Sequence, residues 1–221
     1  MQLTEIKDKI NPKLYQSLQQ RNLKELRPCQ EKSIKSGLFD GKNLLVCTPT
    51  GSGKTLVAEF AALDSVYNNI GKAIYIVPLK ALANEKYKEF KQRYSDLKIA
   101  LSVGDNDSDD SYLAGYDIII TTSEKLDSLI RHSIPWLRNV KVVIIDEIHL
   151  INDEGRGPTL EILITLLKHL LKNVQIIGLS ATIGNPKELA EWLEAKLILD
   201  NWRPVKLKKG VYFEGKIEFE Q

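Results

Sequence analysis

The stretch that most constrains this chain runs from Asn43 to Thr55, NLLVCTPTGSGKT. A short apolar run breaks into a Gly-rich turn and closes on Lys54 and Thr55, the order expected where a buried strand feeds a phosphate-binding loop and then a helix. In such a turn successive backbone N–H groups point at one anion, and the helix beginning near Gly53 adds the positive end of its dipole. Thr50, Gly51, Ser52 and Gly53 form the cradle, and Lys54 sits on the β- and γ-phosphates. Thr55 offers its hydroxyl to a Mg²⁺ ion bridging them. Thr48 stands where the general pattern has Gly, whereas Gly51 and Gly53, the two that let backbone approach phosphate, are present. The competing reading is an ordinary strand-turn-helix corner that happens to end in Gly-Lys-Thr.

From Leu44 onward, apolar runs of strand length alternate with segments of helical period, the signature of successive βαβ units. Strands are expected at Asn43–Cys47, Lys72–Val77, Lys98–Val103, Asp117–Thr121, Lys141–Asp146, Val174–Ser180 and Lys196–Leu199. Helices are expected at Lys54–Asn68, Ala81–Tyr94, Ser123–Arg131, Thr159–Leu171 and Pro186–Leu193. The nearly continuous β-branched hydrophobicity of the strands predicts a mainly parallel sheet with helices on both faces, an α/β fold. A chain of 221 residues accommodates one such domain with short flanking pieces.

Ahead of the loop, Asn11 before Pro12 is a helix start, with Leu14 and Leu18 on one face. Leu26 to Gln30 (LRPCQ) turn into a second short helix carrying Ile34 and Leu38. Gln30 has two readings: a solvent-facing helical glutamine, or an amide whose donor and acceptor match the N6 and N7 edge of adenine. The strand at Lys141–Asp146 ends in Asp146, Glu147, Ile148 and His149. Carboxylates at the end of a central strand fall in the crevice where such sheets bind ligands. Asp146 would hold Mg²⁺ through its waters, opposite Thr55, and Glu147 would orient or deprotonate a water attacking the γ-phosphate. An acid pair that only caps the following turn is the alternative, and His149 is open between structural and catalytic roles.

Charge narrows the partners. Lys+Arg 31 against Asp+Glu 29 leaves a formal +2, so any nucleic-acid contact must be local rather than driven by net field. The first residues mix charges without an apolar core for a signal peptide, and no apolar run reaches membrane-spanning length. An intracellular protein, cytoplasmic in a prokaryote or archaeon, is expected. Cys29 and Cys47 form no CxxC pair and read as packing thiols. The acidic tract Gly104–Asp110 lacks the spacing of a calcium loop and reads as a solvated turn.

TPTGSGKT (48–55), PLKALANEK (78–86), TTSEKLDSL (121–129), DEIH (146–149), GRGPTLE (155–161) and GLSATIGNP (178–186) stand in the order found in superfamily 2 helicases. The chain most resembles the Ski-type branch, and within it, through GRGPTLE and NWRPVKLKKGVYFEG, the archaeal fork-repair DNA helicases. The resemblance implies a RecA-like P-loop NTPase domain that binds ATP and Mg²⁺ and belongs to an ATP-dependent helicase. It makes Gln30 an adenine reader and lets His149, Ser180 and Thr182 link the γ-phosphate state to domain movement. It assigns Pro78, Lys80, Thr121, Thr122 and Arg156 to single-stranded or forked nucleic acid, DNA in the branch it most resembles, with an RNA helicase of the same branch as the alternative. It divides the chain into a helical segment at 1–40, an ATP-binding body at 41–200 and an exit at 201–221 toward a second RecA-like domain. That second domain supplies the arginine finger in the family. A nucleotide-controlled binding switch and a metabolic P-loop kinase are the other classes weighed; the SAT motif and GRGPTLE have no role in a kinase.

Overall fold

The computed structural model describes residues 1–104, 110–132, 134–205, 208 and 210–219. Seven strands form one sheet: β1 (Leu44–Cys47), β2 (Lys72–Val77), β3 (Ile99–Ser102), β4 (Ile118–Thr122), β5 (Val140–Ile145), β6 (Gln175–Ser180) and β7 (Lys196–Leu199). Their order is β3-β4-β2-β5-β6-β1-β7 and all neighbours are parallel. Each strand lies within two residues of its expected span.

Period-two alternation gives each face its own core. Leu44, Val46, Ala73, Tyr75, Val77, Val142 and Ile144 point to one side, against α1 (Pro12–Gln20), α2 (Pro28–Lys35), α3 (Lys54–Tyr67) and α4 (Lys80–Arg93). Leu45, Cys47, Ile74, Ile76, Val143 and Ile145 point to the other, against α5 (Ser123–Arg131), α6 (Gly157–Leu170) and α7 (Pro186–Trp192). Residues 1–40 join the first of these cores through Leu3, Ile6, Leu14, Leu18 and Leu38. Asn11 caps α1 as expected, its Oδ1 accepting the N–H of Lys13 at 2.9 Å. Leu38, expected on the second helix, lies beyond it, because Gly37 turns into the left-handed region at φ 98° and ends α2; Leu38 is nonetheless buried, in a short 3-10 turn.

One charged group sits inside the first core. Glu59 on α3 is 1% exposed. It is held by Arg21 Nη1 at 2.7 Å, Arg93 Nη1 at 3.0 Å and the Tyr94 hydroxyl, tying the N-terminal segment and α4 to the helix that follows the phosphate loop. Of the acidic tract, 105–109 lie outside the described residues. Asp110 corrects the solvated-turn reading: it is buried and paired with Lys125 Nζ at 2.8 Å, on a 3-10 segment running to Gly115. An antiparallel hairpin, β8 (Gly210–Phe213) and β9 (Lys216–Phe219), was not expected. Its two-residue turn, Glu214 at φ 47° and Gly215 at φ 78°, has the positive angles of a tight hairpin turn. Both thiols are buried and free, and burial pushes both up.

Candidate nucleotide-binding and catalytic site

The carboxyl ends of β1, β6, β5 and β2 lie side by side along one rim of the sheet, the crevice where open parallel sheets take ligands. At the end of β1 the chain turns through Thr48 to Gly53 into α3. Gly51 and Gly53 stand at φ 81° and 98°. A Cβ on Gly53 would lie 2.5 Å from Gln30 Nε2 and 2.9 Å from Arg27 Cδ, so only glycine fits this approach. Thr48, the departure from the general pattern, has a local purpose: its hydroxyl is 2.7 Å from that of Ser52, bracing the loop from beneath. Thr50 and Gly51 are exposed, Thr55 is half-buried at the start of α3, and Lys54 is only 8% exposed.

Gln30 is not solvent-facing. It is 2% exposed, its Oε1 accepts the N–H of Arg27 at 2.8 Å, and its Nε2 donates to the Gly53 carbonyl at 3.0 Å. One amide hydrogen and one lone pair remain beyond these bonds. Arg27, to which the sequence reading gave no role, donates from Nη1 to the Gly51 carbonyl at 2.6 Å and stacks its guanidinium on Trp202 at 5.5 Å. The exit segment therefore returns to the phosphate loop, anchored as well by Lys32 on Asp200 at 2.7 Å. The only advance sign of this was an arginine one residue ahead of Pro28.

Across β6 from the loop, Asp146 follows β5, and its N–H continues the ladder to the Ile76 carbonyl at 2.9 Å. Its Oδ1 accepts the N–H of Glu147 at 3.0 Å and its Oδ2 accepts the Tyr75 hydroxyl at 3.0 Å. Glu147 stands at φ 51°, ψ 43°, a left-handed conformation that costs a non-glycine residue about 1–2 kcal/mol and clusters at functional sites. Its Oε2 lies 3.4 Å from His149 Nδ1, without hydrogen-bond alignment. Among the described residues, His149 Nδ1 and Ser180 Oγ are buried polar atoms lacking a hydrogen-bond partner. Ser180 ends β6 opposite Cys47, and its carbonyl accepts the N–H of Thr48 at 3.2 Å. Thr182, past the end of β6, is exposed.

Of the residues assigned to nucleic acid, Pro78 and Arg156 come together, lining one small cleft with Ser123, Asp146, Glu147 and Leu160. Asp153 sets the Arg156 backbone, its Oδ1 accepting the N–H groups of Gly155 at 3.0 Å and Arg156 at 2.9 Å. Lys80 is exposed at the first turn of α4. Thr121 and Thr122 end β4 with their side chains turned inward. They are 0% and 2% exposed; one hydroxyl donates to the Thr122 carbonyl and the other caps α5, so neither is presented at the surface.

The residues fit a nucleotide and its metal ion. The loop turns on two glycines in the left-handed region, one of them packed so closely that a Cβ would strike Gln30, and two buried polar atoms on the neighbouring segments, His149 Nδ1 and Ser180 Oγ, make no hydrogen bond. Among the described residues no group of three or more His, Cys, Asp or Glu side chains forms a metal cage. A hydrated Mg²⁺ ion held by one carboxylate, one hydroxyl and the phosphates it accompanies needs none.

A model of the DEAD/DEAH box helicase family matches residues 27–189, and the chain belongs to that family. More particularly, it is 54% identical over 213 residues to the ATP-dependent DNA helicase Hel308 of Pyrococcus horikoshii, a match covering 96% of this chain and 29% of the relative. It is 57% identical over 215 residues to that of Methanocaldococcus jannaschii, covering 94% and 18%. Among solved structures, the DUF1998 helicase MrfA bound to DNA superposes with a TM-score of 0.75 at 30% identity, over 87% of this chain and 30% of that one. The chain thus spans less than a third of the length of these relatives. No helix among the described residues is long and apolar enough to cross a membrane.

Proposed function

We propose that this chain is the ATP-binding motor domain of an ATP-dependent DNA helicase or translocase acting in replication-fork repair or recombination. The observation that carries the reading is Glu147, strained into a left-handed conformation beside Asp146 on the rim that holds the phosphate loop. Backbone strain of this kind gathers at functional sites, and here it sets the Cα–Cβ direction of Glu147 directly beside the Asp146 carboxylate. The names of the relatives, all ATP-dependent DNA helicases, favour DNA over RNA and ATP as the nucleotide.

In this reading the N–H groups of Thr50 to Thr55 receive the phosphates and Lys54 neutralises their charge. Gln30 reads adenine with its remaining donor and acceptor. Asp146 and Thr55 hold the metal ion, which when bound neutralises charge developing on the phosphates. Glu147 accepts a proton from the attacking water. His149 and Ser180 use their unpaired atoms as the γ-phosphate state changes, and Thr182 carries the change outward. Pro78, Lys80 and Arg156, with the end of β4 at Thr121 and Thr122, meet a nucleic-acid backbone, contacts that position a strand without reading its bases.

Residues 1–40 serve as a helical segment carrying Gln30, 41–200 as the RecA-like body and 201–221 as the exit toward a second motor domain. That partner domain supplies the arginine finger, worth about 10³- to 10⁵-fold in turnover in related systems. The protein works inside the cell, in the cytoplasm of a prokaryote or archaeon.

The test is ATP hydrolysis by the full-length protein alone, with single-stranded DNA and with single-stranded RNA, alongside fluorescent-nucleotide titration of wild type and Lys54→Ala. Strong stimulation by DNA and weakened binding in Lys54→Ala are expected. Weak stimulation by either polymer returns the domain to a nucleotide switch, none to a kinase-like enzyme, and a larger effect of RNA to an RNA helicase. Equal nucleotide binding by the two proteins refutes the phosphate loop.

A further inference from the structure

A tyrosine in the middle of a parallel sheet needs a reason. Tyr75 lies on β2, next to β5, in register with Ile144, and its side chain is completely buried. Every other strand residue facing that core from β1, β2 and β5 is aliphatic. A phenol hydroxyl buried without a partner is costly, and this one has a single partner, Asp146 Oδ2 at 3.0 Å. The ring is held in place to make that bond. Phe90 of α4 meets it edge to face at 5.6 Å and 75°, Tyr94 meets Phe90 at 5.6 Å and 74°, and the Tyr94 hydroxyl ends on Glu59. Glu59 is gripped in turn by Arg21 and Arg93. A column of aromatic rings therefore runs beneath the sheet from the helix behind the phosphate loop to the carboxylate across the rim.

The two bonds to Asp146 come from groups that cannot turn away. The backbone N–H of Glu147 is fixed by its strained conformation, and the Tyr75 ring is fully buried with its edge contact to Phe90. Each carboxylate oxygen takes one hydrogen bond, which leaves one lone pair on each for the waters of a hydrated cation.

We propose that Tyr75 is a positioning residue for the Asp146 carboxylate, holding it in the one orientation that receives a hydrated divalent cation. The inference rests on the reading of Asp146 as the carboxylate on the metal side. Groups of this kind, one shell removed from an ion, change metal affinity by about 10- to 100-fold when lost. The lower end applies here, since Asp146 acts through water.

The experiment measures binding rather than turnover. Tyr75→Phe keeps the ring and its contact with Phe90 and removes only the hydroxyl, so the fold persists and melting temperature is the control. A fluorescent ADP analogue is titrated in EDTA and across a Mg²⁺ series against wild type, Tyr75→Phe and Asp146→Asn. In EDTA wild type and Tyr75→Phe bind alike within about twofold, because the phosphate loop is untouched. The Mg²⁺ concentration giving half of the metal-dependent tightening rises about tenfold in Tyr75→Phe, and the tightening is lost in Asp146→Asn. If Asp146→Asn loses it and Tyr75→Phe follows the wild-type curve, Tyr75 only packs the core and the proposal is overturned. If neither variant departs from wild type, the assignment of Asp146 to the metal fails, and the role of Tyr75 fails with it. A loss in EDTA equal to that in Mg²⁺ also overturns the proposal, since it marks general damage to the site.

Discussion

Replacing Glu59 by alanine tests whether the buried charge cluster holds the phosphate-loop helix in place. Glu59 lies one turn after Thr55 on α3, and three groups converge on its carboxylate: Arg21 Nη1, Arg93 Nη1 and the Tyr94 hydroxyl. Breaking a buried ion pair from one side costs about 3–5 kcal/mol when the abandoned charge stays buried. Here the abandoned guanidinium groups are 30% and 33% exposed and can turn toward water, which removes much of that penalty. Tyr94 cannot follow, being 1% exposed; its oxygen still accepts from Arg21 Nη1 at 3.2 Å, but its own proton loses its acceptor, which costs about 1–3 kcal/mol. The one lost methylene adds about 1 kcal/mol of cavity and transfer free energy. The expected loss is therefore about 3 kcal/mol, or about 6–12 °C in melting temperature for a chain of this size. Glu59→Gln, which keeps the shape and the bond from Tyr94, should lose about half as much. Arg21→Ala and Arg93→Ala should be non-additive because they share one carboxylate. Urea and thermal unfolding followed by circular dichroism measure these four and the Arg21→Ala, Arg93→Ala double variant. A Glu59→Ala protein within 1 kcal/mol of wild type would show that water reaches the cluster and that Glu59 is not what ties Arg21 and α4 to α3.

Three further outcomes are expected. Glu147→Gln in the full-length protein keeps nucleotide binding and slows hydrolysis by about 10²- to 10⁴-fold, since the amide holds a water without taking its proton; near-wild-type turnover would reduce Glu147 to a turn residue. Gly53→Ala, which forces a Cβ toward Gln30 at φ 98°, lowers nucleotide affinity at least about tenfold through loop distortion; unchanged affinity in equilibrium titration would refute the close packing. Asp64, pushed up to about 6 by burial against the opposing bond from Asn68, is more easily protonated in the folded state than in the unfolded one. Its contribution is present below about pH 4 and lost as pH rises through about 6, so the stability difference between Asp64→Asn and wild type grows in the variant's favour across that window and then levels; a difference that is flat with pH excludes the shift.

Much of this molecule was legible in its sequence because the relevant signals are local. The alternation of apolar runs and helical periods located every strand of the large sheet within two residues, since a strand buried on both faces must be apolar at nearly every position. The phosphate loop was legible for the same reason: glycines, lysine and hydroxyl residues must follow one another when one turn makes the whole cradle. The small hairpin at Gly210–Phe219 went unread although its sign, a glycine in second place between alternating residues, was there. The orientation of Thr121 and Thr122 was not legible, because position at a strand end says nothing of which way a hydroxyl points. Both turned inward, one to cap a helix.

The sequence by itself determined the strand-loop-helix corner, the acidic end of β5 and the family to which both belong. Only the tertiary structure decided what stands around them: Arg27 and Trp202 against the loop, Gln30 on the Gly53 carbonyl, Tyr75 beneath Asp146, and Glu59 between two arginines. The division follows from distance along the chain. Backbone geometry and hydrophobic period act over a few residues and leave a pattern in composition, whereas the partners of Asp146 and Glu59 come from elements tens of residues away, and a tyrosine that positions a carboxylate reads in sequence like one that only fills a core.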